Sequence, residues 1–558
     1  MGKTKGGVTK KIIRGKEYYY FQWMEDGKRR SRTISKEEYL SLIEESKTAT
    51  ALNLSNTRFS GIKMLMGEEL LPSLQYLEHW NKRDSFSVLN DYLDAPLNGK
   101  VLILYGLRRT GKTTMMFQSI LHRKNEIDKC AYLSVDESSN IGELNILLDE
   151  LSKLGFKYVF IDEITKLSDF ISSSQFLSDI YAFKMKLVFS GTDSLGFMIA
   201  SDDALYNRSY MIHTTYLSFK EYSRVLNIND VDKYIEYGGT LVTESVNYHT
   251  GEAPTFYDEK SSISYIDTSI CKNIQRSLTY YRDGDNFNRI RAIKNHDELT
   301  NVINRIVQDE NHRFVKEVVN SVFKSQTYGS LKEILRKNKR FDRLRTIVDE
   351  IDEKQIYENL MDRIDVSNNS CKVDDETLIE LNAYLRLLDV IDRIDIVDVE
   401  TGLIRKRNVF VQPGLRYSIA KELIQSLMEE STIRKLPDEM SNFIYETLLN
   451  DTKGRILEEI VLIDEKERNE CKSFKASFTI GEIDMVKYMK ESNSFSLYEI
   501  KHSMEIDDNQ IKHLIDEDKL DILKYRYGKL DNRFVLYKGV SKEYKGIEYL
   551  NVEDYLKR

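Results

Sequence analysis

Apolar and polar positions change rhythm several times along the chain. From Ile12 to Trp23 they alternate one by one, which predicts a strand with one covered face, and a short basic strand runs to Thr33 after an Asp26-Gly27 turn. Ser35, three residues ahead of Glu38, supplies the capping box of a helix, so residues 1–52 read as a small ββα unit. The small polar residues from Lys47 to about Ser60 suit a linker, and a helical approach segment comes next.

From Lys100 onward short apolar runs alternate with helical patterns. Val101 to Tyr105, Ala131 to Val135, Tyr158 to Ile161, Leu187 to Phe189 and Met211 to Leu217 predict a parallel sheet with crossover helices, placing one α/β domain at about 60–225. Residues 226–436 turn mainly helical, with segments such as Phe314 to Ser325 and Leu331 to Asp349 and a winged helix expected around Tyr328 to Val411. Strands return at Phe474 to Tyr488, Ser494 to Ile500 and Arg533 to Tyr537, which predicts a separate α/β domain over 437–558. The expected fold class is therefore multidomain α/β.

Length agrees with that division, since 558 residues exceed one ordinary domain and suit three or four. No uninterrupted apolar stretch approaches the roughly 20 residues of a membrane span, and the basic start of the chain is not followed by the apolar core of a secretory signal. A cytoplasmic protein is expected. The four cysteines, Cys130, Cys271, Cys371 and Cys471, have no paired spacing that suggests zinc or a disulfide framework. The net charge of −8 argues against a chain that coats nucleic acid along its whole length. Its distribution is uneven, however, for Lys and Arg outnumber Asp and Glu ten to three between Met1 and Thr33.

The run Gly106-Leu107-Arg108-Arg109-Thr110-Gly111-Lys112-Thr113 satisfies G-x-x-x-x-G-K-[ST] between an apolar strand and a helix beginning near Lys112. Glycines let backbone N–H groups curl around phosphates, and the helix N-terminus adds positive potential. Lys112 is the residue type that reaches the β- and γ-phosphates, and the Thr113 hydroxyl, followed by Thr114, is placed to ligate Mg²⁺. ATP is the expected ligand. Tyr158 to Glu163 supplies the second half of such a site, with Asp162 holding Mg²⁺ through water and Glu163 polarising the attacking water; a solvated turn is the alternative. A polar sensor of the γ-phosphate falls at Ser190 or Thr192, after a further strand. Arg208 is a candidate for transition-state charge, in cis or from a neighbouring subunit, or else an ordinary surface arginine.

Gly106 to Thr114, the strand to Asp162-Glu163, Phe189 to Thr192, Asn207-Arg208, Leu217 to Tyr222, Tyr234 to Gly239 and Val411 to Arg416 together resemble the prokaryotic AAA-type ATPases that carry a C-terminal DUF4143-like region. The resemblance covers most of the chain beyond about residue 60 and implies ATPase activity. At Asn207 the chain departs from the family, which usually has glycine before the arginine.

Two later strand-like runs carry acids amid apolar neighbours: Phe478 to Val486 with Asp484, and Ser496 to Lys501 with Glu499. In a hairpin the two carboxylates meet and bind Mg²⁺, while Lys501, on the same face as Glu499, positions a water for attack on a phosphodiester. Gly454 to Ile460 reads as a helix start from which Glu458 adds a metal contact. The Gly-x-x-Asp and Glu-x-Lys spacing resembles the PD-(D/E)XK nuclease superfamily with its usual proline absent, which implies a restriction-endonuclease-like C-terminal domain. A charged strand edge, or a nuclease-like fold without activity, is the alternative.

In the N-terminal unit Arg14, Lys16, Lys28, Arg29, Arg30 and Arg32 flank Tyr18, Tyr19, Tyr20, Phe21 and Trp23, a mixture suited to phosphates and bases. Equally, the rings form the core of the unit and the cations its solvated face. The sequence thus predicts an ATPase that controls a nuclease-like domain acting on DNA. A nucleotide-dependent switch or scaffold with a non-catalytic C-terminal domain is the competing expectation, and a homo-oligomeric ring with Arg208 acting between subunits a third.

Overall fold

The computed structural model describes residues 6–13, 16–25, 28–42, 61–167, 169–192, 194, 196–197, 205–241, 255–275, 289–290, 296–324, 331–366 and 374–558. Three strands, β1 (Gly6–Ile13), β2 (Lys16–Glu25) and β3 (Lys28–Ile34), form an antiparallel sheet with Ile13 opposite Lys16 and Glu25 opposite Lys28. The alternation from Ile12 to Trp23 therefore belongs to two strands rather than one, and the unit is βββα rather than ββα. Arg14, Gly15, the Asp26-Gly27 turn and the linker from Lys47 to Ser60 lie outside the described residues. The helix at 36–42 starts where expected, with the Glu38 N–H donating to Ser35 Oγ at 3.0 Å.

A six-stranded sheet comes next: β4 (Ile62–Met66), β5 (Val101–Tyr105), β6 (Cys130–Val135), β7 (Tyr158–Asp162), β8 (Lys186–Gly191) and β9 (Ser209–His213), in the order β4-β6-β7-β8-β5-β9. All neighbours run parallel except β4, which pairs antiparallel with β6. The approach expected to be helical thus begins with an edge strand, because five residues are too few for periodicity to separate strand from helix. Covered on both faces, the inner strands are continuously apolar: Val101, Leu102, Ile103 and Leu104 are all buried.

The remaining strands form one eight-stranded sheet. They are β10 (Ile391–Asp398), β11 (Ile404–Phe410), β12 (Lys472–Ser477), β13 (Glu482–Met489), β14 (Ser494–Lys501), β15 (Lys529–Tyr537), β16 (Lys542–Tyr544) and β17 (Ile547–Asn551), ordered β11-β10-β12-β13-β14-β15-β17-β16. Helices and a hairpin do lie between 331 and 410, where a winged helix is expected, although Tyr328 is outside the described residues. The hairpin β10–β11 pairs in parallel with β12, so it extends the C-terminal sheet, and the two expected units share a layer. Leu331 to Asp349 is three short helical pieces rather than one helix; Asn338 breaks it by accepting from the Arg340 N–H. Phe474 to Tyr488 is likewise two strands turning at Gly481, whose φ of 83° suits glycine. Gly454 is not a helix start: it lies inside the 31-residue helix Asp438–Arg468, which packs across the sheet. Among the described residues no helix is long and apolar enough to cross a membrane.

Candidate functional site

The P-loop leaves the carboxyl end of β5, the edge of a parallel sheet where ligands bind. Gly106 has φ 143°, and a Cβ there would lie 2.3 Å from the Thr214 carbonyl oxygen, so no other residue fits. Gly111, with φ 92°, turns the chain into the helix Lys112–His122. The loop is held from outside as well. Arg83, buried with Glu221 as an ion pair, donates to the Thr110 carbonyl at 2.6 Å. Thr110 Oγ1 lies 2.9 Å from Thr214 Oγ1, and the Arg109 carbonyl accepts from the Leu241 N–H at 3.0 Å. Arg109 itself donates to Thr255 Oγ1 at 2.9 Å, so it ties the loop to the middle region.

Asp162 is the hub of the site. Thr113 Oγ1 donates to its Oδ2 at 2.6 Å, Tyr132 OH to the same oxygen at 2.8 Å, and Ser190 Oγ to Oδ1 at 2.7 Å. Burial, reinforced by that carboxylate, pushes the Tyr132 hydroxyl well above its ordinary range. The Lys112 ammonium donates to the Gly106 and Leu107 carbonyls at 2.9 and 2.7 Å. Burial lowers its pKa to about 8, while Glu163 and Asp162 act in the opposite direction. Glu163 sits in the left-handed region at φ 58°, with Oε2 buried and without a hydrogen-bond partner among the described residues. Strained backbone of this kind is held where the surrounding structure demands it. The Thr113 hydroxyl and Asp162 oxygens are hard ligands on one side of the loop and fit a Mg²⁺-nucleotide.

The other nucleotide-side candidates separate. Ser190 is the strand-end hydroxyl that touches Asp162, while Thr192 lines an adjoining cleft of about 440 Å³ together with Arg108 and Lys166. Arg208 is not near either: its carbonyl accepts from Val101 N–H at the opposite end of β5, and its guanidinium pairs with Asp179 at 2.8 Å. Four strand steps, about 13 Å, separate it from the loop, so a role for Arg208 within its own chain does not fit.

The acids of the C-terminal region converge on β13 and β14. Met485 pairs with Tyr498, which sets Asp484 beside Glu499, and the Ile500 N–H donates to Asp484 Oδ2 at 2.8 Å. Lys501 bridges the two, at 2.9 Å from Asp484 Oδ2 and 2.6 Å from Glu499 Oε2. From the middle of the 438–468 helix Glu458 reaches Lys475 at 2.9 Å, and Lys475 also meets Glu482 at 2.8 Å. Oxygens of Glu458, Glu482 and Asp484 all lie within 4.8 Å of one another, a spacing that fits one divalent cation. Glu482 and Lys475 escape a reading of motif spacing. Glu482, two residues before Asp484, and Lys475, a lone cation between buried Phe474 and Ala476, were their only signals.

The register between β12 and β13 slips between Phe474 and Ala476, the mark of a bulge, and bulges re-aim side chains. Electrostatics divide the acids. Burial raises Glu458 to about 7, helped by Asp484, and it drives Glu499 up in the same way. Burial acts on Asp484 too, but Lys501, Lys475 and the Ile500 N–H outweigh it and hold that carboxyl well below its ordinary range. Pairs of acids pushed apart in this way mark sites of chemistry more often than plain surface.

Residues 98–223 match the family described as AAA domain, and residues 2–45 match a family described as a domain of unknown function, DUF6788. A comparison with curated proteins returned no match. Among solved structures the chain is similar to the Walker-type ATPase PABY2304 of Pyrococcus abyssi, with 10% identity, a TM-score of 0.27, and 66% of this chain and 99% of that one covered. It is also similar to the Hsp104–ADP complex of S. cerevisiae, with 10% identity, a TM-score of 0.25 and coverage of 70% and 50%. A third is the ORC1 protein of Aeropyrum pernix in complex with DNA, with 13% identity, a TM-score of 0.21 and coverage of 68% and 100%. The family match and the P-loop geometry fall on the same stretch, so residues 98–223 are similar to AAA-type P-loop ATPase domains.

Proposed function

We propose that this chain hydrolyses ATP and uses the nucleotide cycle to control a metal-dependent, nuclease-like site at Asp484 that acts on DNA. The observation that carries the reading is the cluster itself: Asp484 and Glu499, buried and clasped by Lys501, stand beside Glu458, Glu482 and Lys475 in a chain with a complete P-loop. Burying that much charge costs several kcal/mol unless it is paired or metal-bound, so the cluster calls for a function. The DUF4143-like and PD-(D/E)XK-like resemblances point the same way.

At the nucleotide, Lys112 and the loop N–H groups hold the phosphates, Thr113 and Asp162 supply oxygens to Mg²⁺, and Glu163 takes a proton from the attacking water. A bound divalent ion at Asp484 would polarise a phosphodiester and lower the pKa of a bound water. Lys501 would then orient the phosphate oxygen, with Glu499 holding the lysine in place. The basic N-terminal sheet would add phosphate contacts. A second reading is favoured by Lys475 and Lys501, which already neutralise the acids: the C-terminal region binds a partner without cutting it.

The two separate in one experiment, with Mg²⁺, ATP and linear, branched and single-stranded DNA offered to the wild type, Lys112→Ala, Glu163→Gln and Asp484→Ala. The proposal expects Glu163→Gln to bind ATP but lose about 10²–10⁴-fold in turnover, and Asp484→Ala to keep ATPase while losing cleavage. No cut DNA from any protein, with partner binding unaltered in Asp484→Ala, would establish the second reading.

A further inference from the structure

Beside the P-loop, the 440 Å³ cleft that holds Arg108, Lys166 and Thr192 has a wall from outside the parallel sheet. Lys272 and Asn273 form it, immediately after the π-helical turn Ile266–Cys271 of the middle region. Asn273 is buried, and its Nδ2 donates to the Thr192 carbonyl at the end of β8, two residues beyond the serine that bonds Asp162. Its Oδ1 is buried and has no hydrogen-bond partner among the described residues. A buried amide oxygen left without a partner beside a polar cleft calls for a ligand or a water. Lys272 is exposed and has no ion pair among the described residues. Lys166, on the same cleft, is 3.9 Å from Glu163, which links the cleft to the residue proposed to activate water.

We propose that the middle region completes the ATP-hydrolysing site within one chain, with Lys272 contacting the γ-phosphate and Asn273 positioning the Thr192 strand end and the attacking water. This rests on the ATPase reading. In the step, the water oxygen bonds to the γ-phosphorus, the bond to the bridging oxygen of ADP breaks with its electron pair, and the water proton passes to Glu163. Asn273 Oδ1 accepts the second hydrogen of that water, and Lys272 faces charge gathering on the γ-oxygens. Lys272 therefore takes the part that the remote Arg208 cannot play in its own chain. A π-helical turn is a frequent companion of such sites because its extra residue rotates the next side chains out of ordinary helical register.

The test compares steady-state ATPase, ATP-analogue affinity and melting curves for full-length wild type, Lys272→Ala, Lys272→Arg, Asn273→Ala and Arg208→Ala. Lys272→Ala should lower kcat about 100-fold at unchanged analogue affinity and melting temperature, and Lys272→Arg should restore most of it. Asn273→Ala should lower kcat with little change in KM, and Arg208→Ala should match the wild type at every protein concentration. Hydrogen exchange adds a readout free of turnover: ATPγS should protect residues 266–275 in the wild type and not in Lys272→Ala. Wild-type kcat in both Lys272→Ala and Asn273→Ala overturns the inference, as does Arg208→Ala activity that returns only on mixing with Glu163→Gln. A wild type that binds ATP without turnover defeats the ATPase reading instead, and absent ATPγS protection of 266–275 then overturns the Lys272 contact as well.

Discussion

His502 Nε2 lies 2.6 Å from Asp232 Oδ1, and so joins the residue after Lys501 to the helix Val231–Tyr237 that leads back to the P-loop. Asp232 also holds Lys538, and Lys453 reaches Glu236 on the same helix at 2.6 Å. Four residues past the helix, Leu241 bonds the Arg109 carbonyl of the P-loop. Burial works against the Asp232 charge, yet His502 and Lys538 keep its carboxyl well below the ordinary range. One short segment therefore runs from the P-loop to the residue next to Lys501.

Asp232→Ala should consequently uncouple the two candidate sites. ATPase should persist, any change that ATP produces at the Asp484 site should vanish, and the unpaired Lys538 and His502 should cost about 1–3 kcal/mol of stability. Parallel ATPase and cleavage assays with a melting curve check this. An ATP response equal to that of the wild type would show that the segment is only structural.

Arg83 and Glu221 are both buried, and Arg83 also carries the Thr110 carbonyl of the P-loop. Removing one partner leaves a buried, unpaired charge, so Arg83→Ala should destabilise the chain by about 3–5 kcal/mol. The loss should be largely recovered in Arg83→Met with Glu221→Leu. Chemical denaturation of the wild type and the two variants measures it.

Asp464 gives a pH signature. Burial raises its pKa from 3.8 to about 6, against the lowering effect of Arg468, which pairs with it at 2.7 Å. The folded chain thus holds this proton more tightly than the unfolded chain does. Its stabilising contribution is complete below the unfolded value and is lost as pH rises through about 6. Asp464→Asn should therefore gain on the wild type by about 1–3 kcal/mol above that pH and little below about 4. Melting curves across the range decide.

The N-terminal sheet divides its rings and cations between a covered part and an open one. Tyr19 and Ile34 are buried, with Tyr39 of the helix 4.7 Å from the Tyr19 ring centre, whereas Phe21 and Trp23 stack at 5.8 Å beside Arg32 and Arg30. Arg29, Arg30 and Arg32 are exposed along β3. Replacing all three with alanine should weaken nucleic-acid binding and flatten its dependence on log salt by roughly 2–3 units on a duplex. Binding titrations at several salt concentrations would show it.

Much of the nucleotide site was legible because its parts are local. Gly106 to Thr113 is one turn of chain with fixed spacing, and Asp162 ends an apolar strand, so short-range pattern places both. Arg83, Tyr132 and Asn273 reach their partners Thr110, Asp162 and Thr192 from 27, 30 and 81 residues away in sequence, and no periodicity records such contacts. The same limit explains the C-terminal site. Asp484, Glu499 and Lys501 sit on neighbouring strands of one hairpin, whereas Lys475 arrives across a bulge and Glu458 from a helix whose length Gly454 disguised. The pairing of β10 with β12 joins residues some eighty apart in sequence, and for that reason the hairpin read as a wing of the helical region.

The measurement that bears most directly on the central claim is the rate of DNA cleavage with and without ATP, for wild type beside Lys112→Ala and Asp484→Ala. The account predicts that ATP changes the wild-type rate, that Lys112→Ala cleaves at one rate whatever the nucleotide, and that Asp484→Ala does not cleave. A wild-type rate indifferent to ATP, or cleavage that survives Asp484→Ala, would contradict it.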